Sequence, residues 1–93
     1  MEIIHDKVNK EFVLPLVKGQ KAKIRYTSDD ASKMIRLVYS EVPEALRGQS
    51  IGKELVLKTF EKLTEEGYKA TAVCPYIKHV VKKDPKWSTI INH

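Results

Sequence analysis

The spacing of apolar residues changes at Pro43, from every second residue to every third or fourth. Before that point, Glu11-Phe12-Val13-Leu14-Pro15-Leu16 places Phe12, Leu14 and Leu16 on one side. Residues 21–27 set Ala22, Ile24 and Tyr26 against Lys23, Arg25 and Thr27. Alternation of this kind belongs to a strand with one face buried. A third run, 33–42, opposes Met34, Arg36 and Val38 to Ile35, Leu37 and Tyr39. Lys18-Gly19-Gln20 and Thr27-Ser28-Asp29-Asp30 read as turns. Connections this short imply an antiparallel meander. Pro15 has no N–H for a ladder, so its strand is expected at an edge.

Beyond Pro43, the segment through Gln49 is a loop and Ser50 is the expected N-cap of a helix over residues 51–66. Gly52, Leu55, Val56, Thr59, Phe60 and Leu63 share one helical face, with Glu54, Lys58, Glu61, Lys62 and Glu65 opposite. Glu54 and Lys58 form a favourable i,i+4 pair, and Gly67 ends the helix. Residues 69–74 read as a short strand closed by Pro75. Residues 76–83 follow as a short helix with Ile77, Val80 and Val81 inward and Lys82 and Lys83 near its C-terminal dipole. Asp84-Pro85 stops it, and 87–93 is a tail with a final strand expected at 88–91. A strand–helix–strand crossover makes the later strand parallel to its predecessor. The expected fold is therefore α+β, one domain over residues 1–93. It has a largely antiparallel sheet of about five to six strands, a crossover helix and a short second helix.

Ninety-three residues suit one core, and 42% hydrophobic with 31% charged residues argues against disorder. No apolar run reaches the roughly 20 residues that span a bilayer, and the short acidic start is unlike a signal peptide. One cysteine, Cys74, leaves no internal disulfide framework and points to a reducing cytoplasm. His5, His79 and His93 have no metal-ligand spacing, so no metal is expected. The formal charge of +5 suits a polyanion, either nucleic acid or a multiply phosphorylated cofactor. Lys23, Arg25, Arg36 and the Lys82-Lys83 pair favour nucleic acid. No aromatic–basic stacking pattern accompanies them, which ranks that reading last.

The loop Arg47-Gly48-Gln49-Ser50-Ile51-Gly52 leaves a strand and opens a helix. Unpaired N–H groups and the positive end of the helix dipole make such a place an anion site. With Val42 to Leu55 around it, this loop resembles the acetyl-CoA-binding segment of the GNAT acetyltransferases. Cys74-Pro75-Tyr76-Ile77 and Asp84-Pro85-Lys86-Trp87 resemble the minimal single-domain subgroup of that superfamily. The likeness covers residues 32–87 and implies a GNAT-like fold. It also implies acetyl-CoA as cosubstrate, held by Val42, Arg47, Gly48, Gln49, Ser50, Ile51, Gly52, Lys53, Cys74 and Tyr76. In the family pattern Arg/Gln-x-x-Gly-x-Gly/Ala, Arg47 and Gly52 match and Ser50 replaces the central glycine. Its hydroxyl is expected to cap the helix or touch a phosphate. The resemblance further implies that backbone around Glu41 and Val42 pairs with the pantetheine arm and aims an N–H at the thioester carbonyl.

Cys74 and Glu41 are the candidate catalytic residues. Cys74 precedes Pro75 at a helix start, a setting that favours a thiolate, with Lys78 and His79 one turn on. It would accept the acyl group or help activate the acceptor. Direct attack by an amine needs a base, for which Glu41 and Glu44 are candidates. The tyrosine that many GNAT proteins use as acid aligns with Val80, leaving Tyr76, His79 or Tyr39 to substitute. The expected reaction is acetyl transfer to an amine, in a small molecule or at a peptide lysine or N-terminus. The second reading is a CoA-binding module with little or no transfer activity. No helices intervene between the first strands, which leaves the acceptor side open, and the chain is expected as a monomer or weak homodimer away from membranes.

Overall fold

The computed structural model describes residues 2–29, 31–46 and 50–93. Five strands run β1 (Ile4–Asp6), β2 (Glu11–Pro15), β3 (Lys21–Ser28), β4 (Met34–Glu41) and β5 (Lys69–Ala72), in that order across one sheet. The first four are antiparallel and β5 joins β4 in parallel. The crossover is α1 (Ile51–Glu65), followed after β5 by α2 (Pro75–Lys83) and α3 (Trp87–Ile90). The helices share one core cluster with the inner face of the sheet. Phe12, Leu14, Ala22, Ile24, Ile35 and Leu37 meet Leu55, Val56, Phe60 and Leu63 of α1 and Ile77 and Val81 of α2. On the other face Arg25, Thr27, Met34, Arg36 and Tyr39 are exposed.

Three expectations are revised. The Glu11–Pro15 strand is interior, because β1 pairs along it from Glu11 to Val13. Pro15 lies beyond the reach of β1, so its missing donor costs no bond there. The tail forms a single turn, α3, where a strand was expected at 88–91. Asp84 Oδ1 accepts from the N–H groups of Lys86 (2.9 Å) and Trp87 (3.2 Å), starting a turn that overrides the local strand preference. The turn packs Trp87 against Phe60 and delivers Asn92 to the free edge of β5, where it exchanges bonds with Ala70 and Ala72.

The third revision concerns β4. Arg25 pairs with Tyr39 but Tyr26 pairs with Leu37, so Val38 is an extra residue, a β-bulge. A bulge inverts the alternation beyond it. Ile35 and Leu37 face the core as read from the sequence, but Tyr39 turns outward and Ser40 inward.

β1 is held by a side chain rather than by its length. The His5 ring is buried, stacked on Phe12 at 4.3 Å between centroids. Its Nδ1 donates to Glu66 Oε1 at 2.7 Å, since an ionised carboxylate can only accept, and its Nε2 lies 2.6 Å from the Tyr26 hydroxyl. Burial pushes the Glu66 carboxyl up, but the hydrogen bond and charge of His5, with Lys62, outweigh it and hold it below the usual range. Next to Glu66, Gly67 has φ 82°. The N–H of Gly67 reaches Thr64 O and that of Tyr68 reaches Leu63 O, the paired bonds that close a helix through a left-handed residue.

Candidate functional site

β4 and β5 run side by side only as far as Leu37 and Ala72. There the N–H groups of Val73 and Cys74 both donate to Leu37 O, each at 3.0 Å, and the chain turns away into α2. β4 continues past its bulge to Glu41, so residues 38–41 have no partner on β5. The result is a wedge between the two strands with the backbone of β4 along one side.

Two helix N-termini close on this wedge. Cys74 is the N-cap of α2 and Pro75 its first residue, a position where the missing N–H removes nothing. α1 starts beside it. A Cβ built on Gly52 would stand 3.1 Å from the Tyr76 hydroxyl and 3.3 Å from two of its ring carbons. Glycine here lets the Tyr76 ring lie against the first turn of α1. Burial there pushes the Tyr76 hydroxyl up. The two sequence segments that carry the family resemblance therefore meet, through Gly52 and Tyr76.

At the start of α1, Arg47, Gly48 and Gln49 lie outside the described residues. Ser50 occupies the N-cap position, as expected, but its side chain makes no capping bond and its φ is 61°. This left-handed backbone is the one glycine adopts without cost, which explains why the family pattern has glycine there. The first intrahelical bond of α1 runs from Glu54 N–H to Ser50 O. The N–H groups of Ile51, Gly52 and Lys53 precede it and point out along the helix axis.

The Cys74 side chain is nearly buried, at 9% exposure, and its Sγ lies 3.5 Å from Ser40 Oγ across the wedge. Ser40 escapes the sequence reading because plain alternation puts it on the outer face; only the bulge brings it in. Val42 packs against the core from the same strand end. Glu41 goes the other way, exposed on the outer face, where Tyr39 donates its hydroxyl to Glu41 Oε1 at 3.0 Å. That bond, with the carboxylate charge, holds the Tyr39 hydroxyl above its usual range and keeps it a donor. Glu44 is exposed in a 3-10 turn, Lys78 and His79 are exposed on α2, and Val80 is buried in the core. Among the described residues, no group of three or more His, Cys, Asp or Glu could hold a metal ion, and no helix is long and apolar enough to cross a membrane.

The family profile described as GCN5-related N-acetyl-transferase matches residues 11–90. Protein NATD1 of Danio rerio is 32% identical over 85 residues, covering 91% of this chain and 77% of its own length. Protein NATD1 of Gallus gallus is 28% identical over the same shares. The solution structure of a GCN5-like protein from Staphylococcus aureus superimposes with a TM-score of 0.68 at 25% identity, covering 97% of this chain and 86% of that one. The chain is a small member of the GCN5-related N-acetyltransferase superfamily, a family of acetyltransferases.

Proposed function

We propose that the wedge between β4 and β5 binds acetyl-CoA and that the chain transfers its acetyl group to an amine. The observation that carries this reading is the meeting of three elements at one place: the length of β4 that runs on past β5, the first turn of α1 and the Cys74 N-cap of α2. The residues fit the coenzyme. The N–H groups of Ile51, Gly52 and Lys53, with Ser50 in a left-handed turn, suit a pyrophosphate. Arg47, Gly48 and Gln49 would complete that cradle, and Tyr76 flanks it. On the β5 side, the β4 backbone at residues 38–41 offers peptide groups to the amides of a pantetheine arm, with Val42 following at the strand end. When bound, the coenzyme supplies an activated acetyl group whose carbonyl needs an N–H donor as negative charge develops on it.

Glu41, exposed on the outer face with one oxygen held by Tyr39, takes the proton of the incoming ammonium. Cys74, held by Ser40 at the inner face, stands where it can accept the acetyl group or return a proton to the departing sulfur. A lone free thiol also suits a reducing cytoplasm.

Release of free coenzyme A from acetyl-CoA, measured over a panel of amines, polyamines and lysine peptides, tests the reading. Amine-dependent release above hydrolysis, reduced at least tenfold in Glu41→Gln, is expected. A protein that binds coenzyme A but releases none with any amine would be a binding module. Full activity in Cys74→Ala, with no acetylated cysteine in the wild type, would remove Cys74 from the mechanism while leaving Glu41 in it.

A further inference from the structure

The outer face of the sheet carries a second polar feature along β4 from Glu41. Thr27 of β3, Arg36 of β4 and Thr71 of β5 are direct cross-strand neighbours in one row. With Ser28, Ser32 and Asp29 they line a groove of about 410 Å³ at the β3–β4 end of the sheet. Arg36 is exposed there and enters none of the ion pairs among the described residues. The contrast with its neighbours on the same face is informative. Lys23 and Arg25 are both committed to Glu11, at 3.4 and 3.2 Å. Asp29, the one acidic group among the described residues of the groove, accepts instead from the Ala31 N–H at 3.0 Å. A guanidinium flanked by two threonine hydroxyls presents a fork of donors that matches a carboxylate.

We infer that this row binds an acidic side chain of a peptide acceptor whose amine reaches Glu41. The inference rests on the acetyl-transfer reading above. Arg36 and Glu41 are separated by about 15 Å of extended strand. A peptide lying extended along the same face therefore places the acidic residue four to six positions from its acetylated amine. Asp29 opposes such an occupant, so its charge trims the affinity and sharpens dependence on Arg36.

The experiment is fluorescence anisotropy with labelled ten-residue peptides bearing one lysine and, five positions away, either Glu or Gln. Wild type, Arg36→Gln, Arg36→Lys and Asp29→Asn are compared at low and high salt. The Glu peptide should bind the wild type at least fivefold tighter than the Gln peptide. That preference should vanish in Arg36→Gln, fall in Arg36→Lys, where the planar fork is lost, and grow in Asp29→Asn. Equal affinity for the two peptides, or a preference that survives Arg36→Gln, overturns the inference. So does inorganic phosphate binding at Arg36 without any peptide preference. Coenzyme A-induced thermal stabilisation of the same samples reports separately on the coenzyme site, because Arg36, exposed on the outer face, is not among the residues proposed to hold the coenzyme. Arg36 is exposed, and an unchanged melting temperature without ligand confirms that its variants fold.

Discussion

At the scale of single residues, two side chains carry strain or contact that the function explains. Ser50 holds a left-handed backbone that costs a non-glycine residue about 1 kcal/mol, and no capping bond offsets it. Ser50→Gly should therefore raise stability by about 1 kcal/mol, read as an increase in the urea midpoint at constant slope. A decrease would show that the Ser50 hydroxyl contributes more than its backbone costs. Ser40 is the other. Its contact with Cys74 is a weak hydrogen bond worth at most about 1 kcal/mol, equivalent to roughly fivefold in rate. Ser40→Ala should lower acetyl transfer by up to about that factor, with a fall in melting temperature of no more than about 4–8 °C. If transfer is unchanged, the contact is packing alone.

Elements are where the sequence was most and least informative. Alternation places β2, β3 and the first half of β4, and helical spacing places α1 with its buried Leu55, Val56, Phe60 and Leu63, because burial of one face leaves a regular imprint. The Cys74-Pro75 start of α2 is legible for another reason: a helix start favours proline at its first position. What alternation cannot show is an irregularity, and the bulge at Val38 is one. It moves Tyr39 outward and Ser40 inward, so the residue nearest Cys74 is invisible to any reading of period two. β1 is hidden for a different cause. Three residues leave no pattern, and its anchor, His5, is a polar residue made buriable by Tyr26 and Glu66. This anchor makes β1 the acid-sensitive element. The folded-state pKa of Glu66 lies below its unfolded value of 4.5. Its contribution is therefore present in full above that value and is lost as pH falls through the folded-state pKa. Melting temperatures of wild type and Glu66→Gln, compared from pH 7 downward, should differ at neutral pH and converge as pH falls below 4.5 and through the lowered folded-state pKa. A gap that stays constant from pH 7 down through the acid limb would show that the Glu66 charge contributes nothing.

For the whole molecule, the layout separates two tasks. The helices cover one face of the sheet and build the core, while the outer face keeps Glu41, Tyr39 and Arg36 exposed. The wedge joins the two sides, so a coenzyme held from the α1 side would present its acetyl group to an acceptor on the open face. Ser50 and Val80 depart from the family pattern at opposite ends of this arrangement. The first keeps the backbone glycine would take, and the second removes an acid by burying a valine. Neither departure removes a backbone donor from the proposed coenzyme site, so coenzyme binding is the central proposal. At 10.7 kDa the protein suits backbone amide NMR during a titration with coenzyme A. The largest shifts are predicted for the amides of residues 38–42 and 51–53, with Cys74 and Tyr76. Absence of any saturable shift, or saturable shifts confined to the outer-face residues of β1 to β3, would contradict the account.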